Sequence, residues 1–301
     1  MEFGKLANVN HVDWAIPNDD PLTSQFLVTL GSTDELKVYW GAPAWGHKEW
    51  NGKIYPEKTK STDFLYHYSR YFSCVELNTT HYRIPSPEQT QKWLAQVPKG
   101  FLFCPKVFKG ISHAARGLTD RKLLAEWFSF LDKLKDTCGP CFLQLPPYFE
   151  YAHKAELFYL LKNWPVDFEL TLEFRHPSWF ERGRIRPALT QYLQQHGVGL
   201  VITDVAGRRD VLHTSISADY AMLRFIGNEL HSSDFERTRN WCRRFSTWEQ
   251  QGLKRLFLFI HEPDDLLTPE MAHYFLEQLR AVGGWNVQPV MKSMDQLSLS
   301  T

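Results

Sequence analysis

Several apolar runs in this chain carry polar or charged residues at every second position. In "VELNTTHY" (75–82), Val75 and Leu77 would share one face of an extended strand, and Glu76, Asn78 and Thr80 the other, because successive strand side chains point to opposite faces. "LTLEFRH" (170–176) repeats the pattern: Thr171, Glu173 and Arg175 alternate with Leu170, Leu172 and Phe174. Gln144 lies between Leu143 and Leu145, and Arg224 between Leu223 and Phe225. Other runs end in Lys106, in Thr203-Asp204 and in His261-Glu262. Carboxylates of this kind suit general acid–base work, which assigns Glu76, Glu173 and Asp204 to catalysis. His176 joins them, because an imidazole titrates near neutrality. Arg175, Arg224 and Lys106 would hold an anion and stabilise developing charge. Asn78, Tyr82, Gln144, Arg208 and His261 complete the expected substrate contacts. Glu76 and Glu173 could also form a glycosidase pair, if their separation suits it. The same charges read structurally as an ion network, with Glu76, Glu173 and Asp204 balanced by Lys106, Arg175 and Arg224.

These residues need elements to position them. Strand-like runs occur at 38–43, 72–78, 101–107, 141–147, 169–176, 199–205, 220–227 and 255–263. Helical patterns separate them, for example at 63–72, 86–97, 120–136, 188–197 and 268–284. Ser86-Pro87 and Thr268-Pro269 read as helix starts, an N-cap followed by proline in the first turn. Eight strands alternating with helices over about 250 residues is the pattern of a (β/α)8 TIM barrel, whose active sites lie at the strand C-termini. The polar residues above lie near strand C-termini and are not repeated near strand N-termini. A doubly wound open sheet is the alternative, but no Gly-rich dinucleotide fingerprint follows the first strand. The expected organisation is an N-terminal extension over 1–36 with one short helix, a barrel domain over 37–290 and a tail over 291–301.

The chain has 301 residues and equal numbers of acidic and basic side chains, 34 each. Zero net charge argues against a general affinity for nucleic acid or anionic membranes, while leaving room for a local basic site. No apolar run reaches the ~20 residues of a membrane span, and the pattern of the first residues leads us to expect no secretory signal. Five cysteines, an odd number lying mostly in apolar runs, fit a reduced, cytoplasmic setting. Cys138-Gly-Pro-Cys141 has redox-motif spacing, but it stands where a helix ends and a strand begins. A helix N-terminus that would lower a thiol pKa is therefore missing, and a plain turn with buried thiols is expected. The loops after the fifth and sixth strands are arginine-rich: "ERGRIR" (181–186) reads as a solvated helix start, and "AGRRD" (206–210) as part of a cationic mouth. Trp40, Trp45 and Trp50 crowd the first loop and are expected to pack there. Ligand-type residues such as His113, His176 and His261 lack metal-site spacing, so no metal and no cofactor is assigned.

The motifs "WNGKIYP", "FSCVELNTTHYRIPSPEQTQKW", "PKGFLFCPKVFKGISH", "FLQLPP", "EFRHPSW" and "TDVAGRRD" resemble the YecE-like family, catalogued as domain of unknown function 72. The resemblance runs from about Val38 to about Gly284. It implies a TIM barrel, and its motif positions fall on Glu76, Asn78, Thr80, Tyr82, Lys106, His113, Gln144, Glu173, Arg175, His176, Asp204 and Arg224. It implies no particular reaction. Two departures are "FIHEP" at the eighth strand, where relatives are Asn-rich, and the Cys138/Cys141 pair. The expectation is an enzyme (hydrolase, lyase or isomerase) that binds a small anionic compound such as a phosphorylated sugar or nucleotide-like molecule. The alternatives are a divalent-metal-dependent nucleic-acid-processing barrel and a non-catalytic ligand-binding protein.

Overall fold

The computed structural model describes residues 4–31 and 35–287. The expected 291–301 tail and the last residues of the expected barrel domain lie outside them. Among the described residues, eight strands run parallel: β1 (Lys37–Gly41), β2 (Cys74–Leu77), β3 (Leu102–Pro105), β4 (Cys141–Gln144), β5 (Leu170–Glu173), β6 (Gly199–Asp204), β7 (Tyr220–Ile226) and β8 (Arg255–His261). Six form one sheet in the order β1-β8-β7-β6-β5-β4, and β2 pairs with β3. Backbone hydrogen bonds join the two groups on both sides. Ser73 and Glu76 donate to Trp40 and Ala42, and Val107 donates to Phe142. The fold is mixed α/β, built on a mostly parallel central sheet.

The longer helices are α1 (Pro21–Thr29), α2 (Phe64–Tyr71), α3 (Pro87–Leu94), α4 (Arg121–Leu134), α5 (Lys154–Asn163), α6 (Pro187–His196), α7 (Ser232–Gln251) and α8 (Thr268–Gly283). Ser86 caps α3, its hydroxyl accepting from the Gln89 N–H at 3.3 Å. Thr268 does not cap α8. It is the first helical residue, and its hydroxyl makes no side-chain cap bond. "ERGRIR" is not a helix start either: Phe180–Glu181 and Arg184–Ile185 pair as a short antiparallel hairpin. Between them Arg182 and Gly183 both take positive φ, as a tight turn requires.

Alternation along the strands sorts the interior. One parity (Val75, Leu77, Phe103, Leu143, Leu172, Ile202, Leu223, Leu258, Ile260) packs into the large core with the helices. The other (Cys74, Cys104, Phe142, Val201, Tyr220, Met222, Phe257, Phe259) forms a second, separate apolar cluster. Its rings interlock, Tyr39 stacking on Phe257 at 4.9 Å and Tyr220 meeting Phe257 edge-on at 5.5 Å. The strand backbones approach closely at Gly41, where a Cβ would lie 2.1 Å from the Cys74 carbonyl oxygen. The Tyr68 hydroxyl ties the same junction, accepting from the Ala42 N–H at 2.7 Å and donating to the Cys74 carbonyl at 3.0 Å. Trp40 and Trp50 are fully buried, as the packing expectation required. Cys141 is buried at the start of β4, its thiol pKa pushed up by burial, and Cys138 is half-buried in the turn before it.

Candidate functional site

In six strands a polar side chain stands two positions after an interior one. Cys74 leads to Glu76, Cys104 to Lys106, Phe142 to Gln144, Thr171 to Glu173, Met222 to Arg224 and Phe259 to His261. Because the strands are parallel and staggered, these six side chains rise toward the same end of the sheet, above the apolar cluster. Arg224 is its hub. Nε and Nη2 donate to the two oxygens of Glu76 at 2.8 and 2.9 Å, and Nη1 donates to Glu173 at 3.0 Å. Glu173 also accepts from Arg175 Nε and from Gln144 Nε2, both at 2.8 Å. Glu76 accepts from Asn78 Nδ2 at 2.8 Å, and His261 Nε2 lies 3.0 Å from its other oxygen.

Burial by itself would raise both carboxyl pKa values. Arg224 and His261 overcome it at Glu76, holding that group well below the usual carboxylate range. At Glu173 the cations Arg175, Arg224 and Lys106 bring the pKa down to about 2. Both carboxylates are therefore ionised near neutrality, and both are saturated with donors.

Lys106 stands at the edge of this lattice. Its N–H donates to the Leu77 carbonyl at 3.3 Å, and it bridges to Phe142 of β4. The Thr80 hydroxyl sits 2.7 Å from the Lys106 carbonyl, which pins the turn Thr79–Tyr82 against the end of β3. The residue is 8% exposed, yet it lines a cavity of about 930 Å³ over the strand C-termini. None of the ion pairs among the described residues includes Lys106. Burial and then Arg224 push the amine pKa down to about 8. His81 and His113 stand 5.0 Å apart, ring to ring, and burial followed by Lys106 pushes both down to about 4.

Lys106, Asn78, Tyr82 and His261 line the cavity floor and rim. Tyr82 is 69% exposed at the mouth. The N-terminal segment 5–10 supplies one wall. It is tied down where Gly207 N–H donates to the Gly4 carbonyl at 2.8 Å and where Asn10 Oδ1 meets His231 Nε2 at 3.2 Å. Just beyond it, Arg209 donates to the Ala15 carbonyl at 3.0 Å, and the Trp14 ring lies 4.4 Å from the Arg237 guanidinium.

Three expected site residues sit elsewhere. Asp204 has the parity of Ile202, so it faces the helices. There it binds Trp241 Nε1 at 2.7 Å and Arg237 of α7 at 3.1 Å, together with Arg209. The residue of β6 that points with the site layer is Thr203, whose buried hydroxyl has no hydrogen-bond partner among the described residues. Arg208 clamps Asp210 at 2.8 Å and the Arg175 carbonyl at 2.8 Å. The ring of His176 accepts from the Ser178 N–H at 3.2 Å and shapes the turn after β5. The "AGRRD" arginines are thus engaged locally, and His213, bonded through Nε2 to the Val201 carbonyl, is driven down to about 4 by burial. The strand N-termini are not free of charge either, for Arg255 pairs there with Glu169 and Asp219, both at 2.5 Å.

Glu262 lines the cavity without having been singled out as a site residue. Burial, then Asp234, pushes its pKa up to about 8, so its carboxyl is protonated near neutrality. One oxygen accepts from the Glu229 N–H at 2.9 Å, and the other has no hydrogen-bond partner among the described residues. Gly227 makes room for it, since a Cβ there would lie 2.0 Å from that second oxygen. Asp265, also raised by burial, faces His47 at 3.6 Å.

The sequence pattern of the family described as "Protein of unknown function DUF72" matches residues 39–293. The chain belongs to the DUF72 family. It is similar to UPF0759 protein YecE of Escherichia coli (strain K12), 31% identical over 261 residues that cover 81% of this chain and 93% of that protein. UPF0759 protein YunF of Bacillus subtilis (strain 168) is 32% identical over 154 residues, 48% of this chain and 52% of its own length. Two solved DUF72 structures share the fold. One from Enterococcus faecalis aligns with a TM-score of 0.64 at 17% identity, covering 85% of this chain and 98% of that one. One from Thermotoga maritima aligns with a TM-score of 0.61 at 23% identity, covering 81% and 98%.

Proposed function

We propose that this DUF72 protein is a cytoplasmic enzyme that binds a small anionic compound in the cavity over the strand C-termini, and that its eight parallel strands close into a (β/α)8 barrel. The backbone bonds from β1 to β2 and from β3 to β4 support closure. Five unpaired cysteines support a reducing compartment. The observation that carries the anion reading is charge balance in the buried layer beneath the cavity. Glu76 and Glu173 are matched by Arg224 and Arg175, while Lys106 joins no ion pair among the described residues. A bound anion would complete the balance, with Asn78 and His261 beside it.

On this reading Glu76 and Glu173 act as positioning groups. A carboxylate with a pKa of about 2, like that of Glu173, is a weak base at neutral pH and is not available as an acid. Their commitment to guanidinium groups also weighs against a divalent-metal nuclease. The test is a thermal-shift panel of inorganic phosphate, sugar phosphates and small carboxylates, on the native protein and on Lys106→Met. An anion at 100 times its Kd should add about 2.7 kcal/mol of stability, and the variant should lose that gain. If no anion stabilises the native protein, the reading fails. If an anion binds but is never turned over, the protein is a binding protein and not an enzyme.

A further inference from the structure

We propose that the Lys106 amine is a nucleophile that condenses with an aldehyde or ketone group of the bound compound, so that the substrates are small anionic carbonyl compounds. The proposal rests on the anion reading above for the charged half of that class and adds a covalent step.

Three observations support it. The Lys106 backbone is held from both sides, by Leu77 of β2 and by Phe142 of β4, which fixes the root of the side chain. Lys106 is among the residues that line a cavity of about 930 Å³, large enough for a metabolite. Its charged form is also poorly supported. Its contact with the Phe142 ring face, 5.6 Å from Nζ, is a weak support for the charge; no carboxylate pairs with it among the described residues, and the neighbouring Glu76 and Glu173 are already bound by guanidinium groups. Desolvation next to other cations is the arrangement that turns a lysine into a nucleophile at neutral pH. With a pKa of about 8, roughly a tenth of the amine is neutral at pH 7, against well under a thousandth for an ordinary lysine. Nothing comparable holds for arginine, which stays protonated.

The step balances without a redox partner. The Nζ lone pair attacks the carbonyl carbon, the C=O π bond becomes an alkoxide, and a proton passes from nitrogen to oxygen to give a carbinolamine. Protonation of that hydroxyl from solvent in the open cavity expels water. The carbon–nitrogen double bond then forms as a protonated imine, which hydrolysis reverses.

The experiment uses glyoxylate, a minimal anionic aldehyde, with cyanoborohydride at pH 7 on the full chain. The reductant delivers hydride to the imine and leaves a stable N-carboxymethyl group, located by peptide mass spectrometry. Lys106 should be modified at least about 10-fold faster than the exposed Lys48, Lys58 and Lys60, with a rate that rises through pH 8 and not through the ordinary lysine range. A Lys106→Arg variant should lose that modification alone. Labelling of Lys106 no faster than the exposed lysines overturns the proposal, even if phosphate stabilises the protein and the anion reading stands. Fast labelling that phosphate neither slows nor accompanies with a thermal shift keeps the nucleophile and overturns the anionic half.

Discussion

Replacing Arg224 by methionine should be the most damaging single change in the site layer. The guanidinium is fully buried and makes three hydrogen bonds of 2.8–3.0 Å to two buried carboxylates. Methionine fills much of the volume and leaves the carboxylates behind. Glu173 keeps Arg175 and Gln144, so the larger loss falls on Glu76, which is left with Asn78 and His261. Stranding one member of a buried ion pair costs about 3–5 kcal/mol, and urea unfolding at pH 7 should show that loss with an unchanged slope. The pH dependence gives a second signature. In the native protein Glu173 is depressed from 4.5 to about 2, and Glu76 is depressed as well. Their contribution is complete above pH 4.5 and is lost as the pH falls toward 2, where the unfolded chain holds the protons. In the variant Glu76 loses its main cation and its pKa climbs, so the folded form takes up a proton and the cost shrinks on acidification. The two stability curves should converge below pH 4.5. A Glu76→Gln/Arg224→Met double variant should recover part of the loss, because no unpaired charge remains at Glu76. An Arg224→Met protein within about 0.5 kcal/mol of native at pH 7, with a parallel pH profile, would refute a role for Arg224 in holding the two buried carboxylates.

Lys106→Met should stabilise the protein. The drop of the amine from 10.5 to about 8 means that folding disfavours the ammonium. Stability therefore rises between pH 8 and 10.5 and carries the full penalty below 8, and removing it should gain up to roughly 3 kcal/mol at pH 7. A destabilised Lys106→Met, measured by urea unfolding, would show that the amine is well paired. Glu262, raised from 4.5 to about 8, has the opposite slope. The folded state holds a proton that the unfolded chain releases, so native stability should fall as pH rises from 4.5 to 8. Glu262→Gln should flatten that part of the profile, and an unaltered slope would assign the proton to another group.

The strand pattern was legible because β-alternation is a local property: an interior apolar residue followed two positions later by a polar one marks β2, β3, β4, β7 and β8. Charge at a strand end points to Asp204 as a site residue, but its parity is that of Ile202, which packs with the helices. Counting forward from Val201 by twos selects Thr203 and sends Asp204 to Trp241. The cationic mouth failed for a related reason. Arginine composition does not reveal that Arg208 and Arg209 have partners two and five residues away, at Asp210 and Asp204. Arg237, buried on α7, holds Asp204 as well, an outward-facing network in a helix too polar for apolar spacing alone to reveal. Charge at the strand N-termini was overlooked because Arg255, Glu169 and Asp219 are ordinary residues at run boundaries, joined only by the fold. The segment 5–10 carries no periodic signal, so only tertiary placement shows it as a cavity wall.

That wall bears on the shape of the chamber. The family match begins at residue 39, whereas Lys5 to Asn10 precede it. The cavity floor belongs to the matched part of the chain, and one side of the chamber above it is built from sequence outside that part. A chain with the same floor and a different wall would have a chamber of another size and outline, without any change in the groups beneath it.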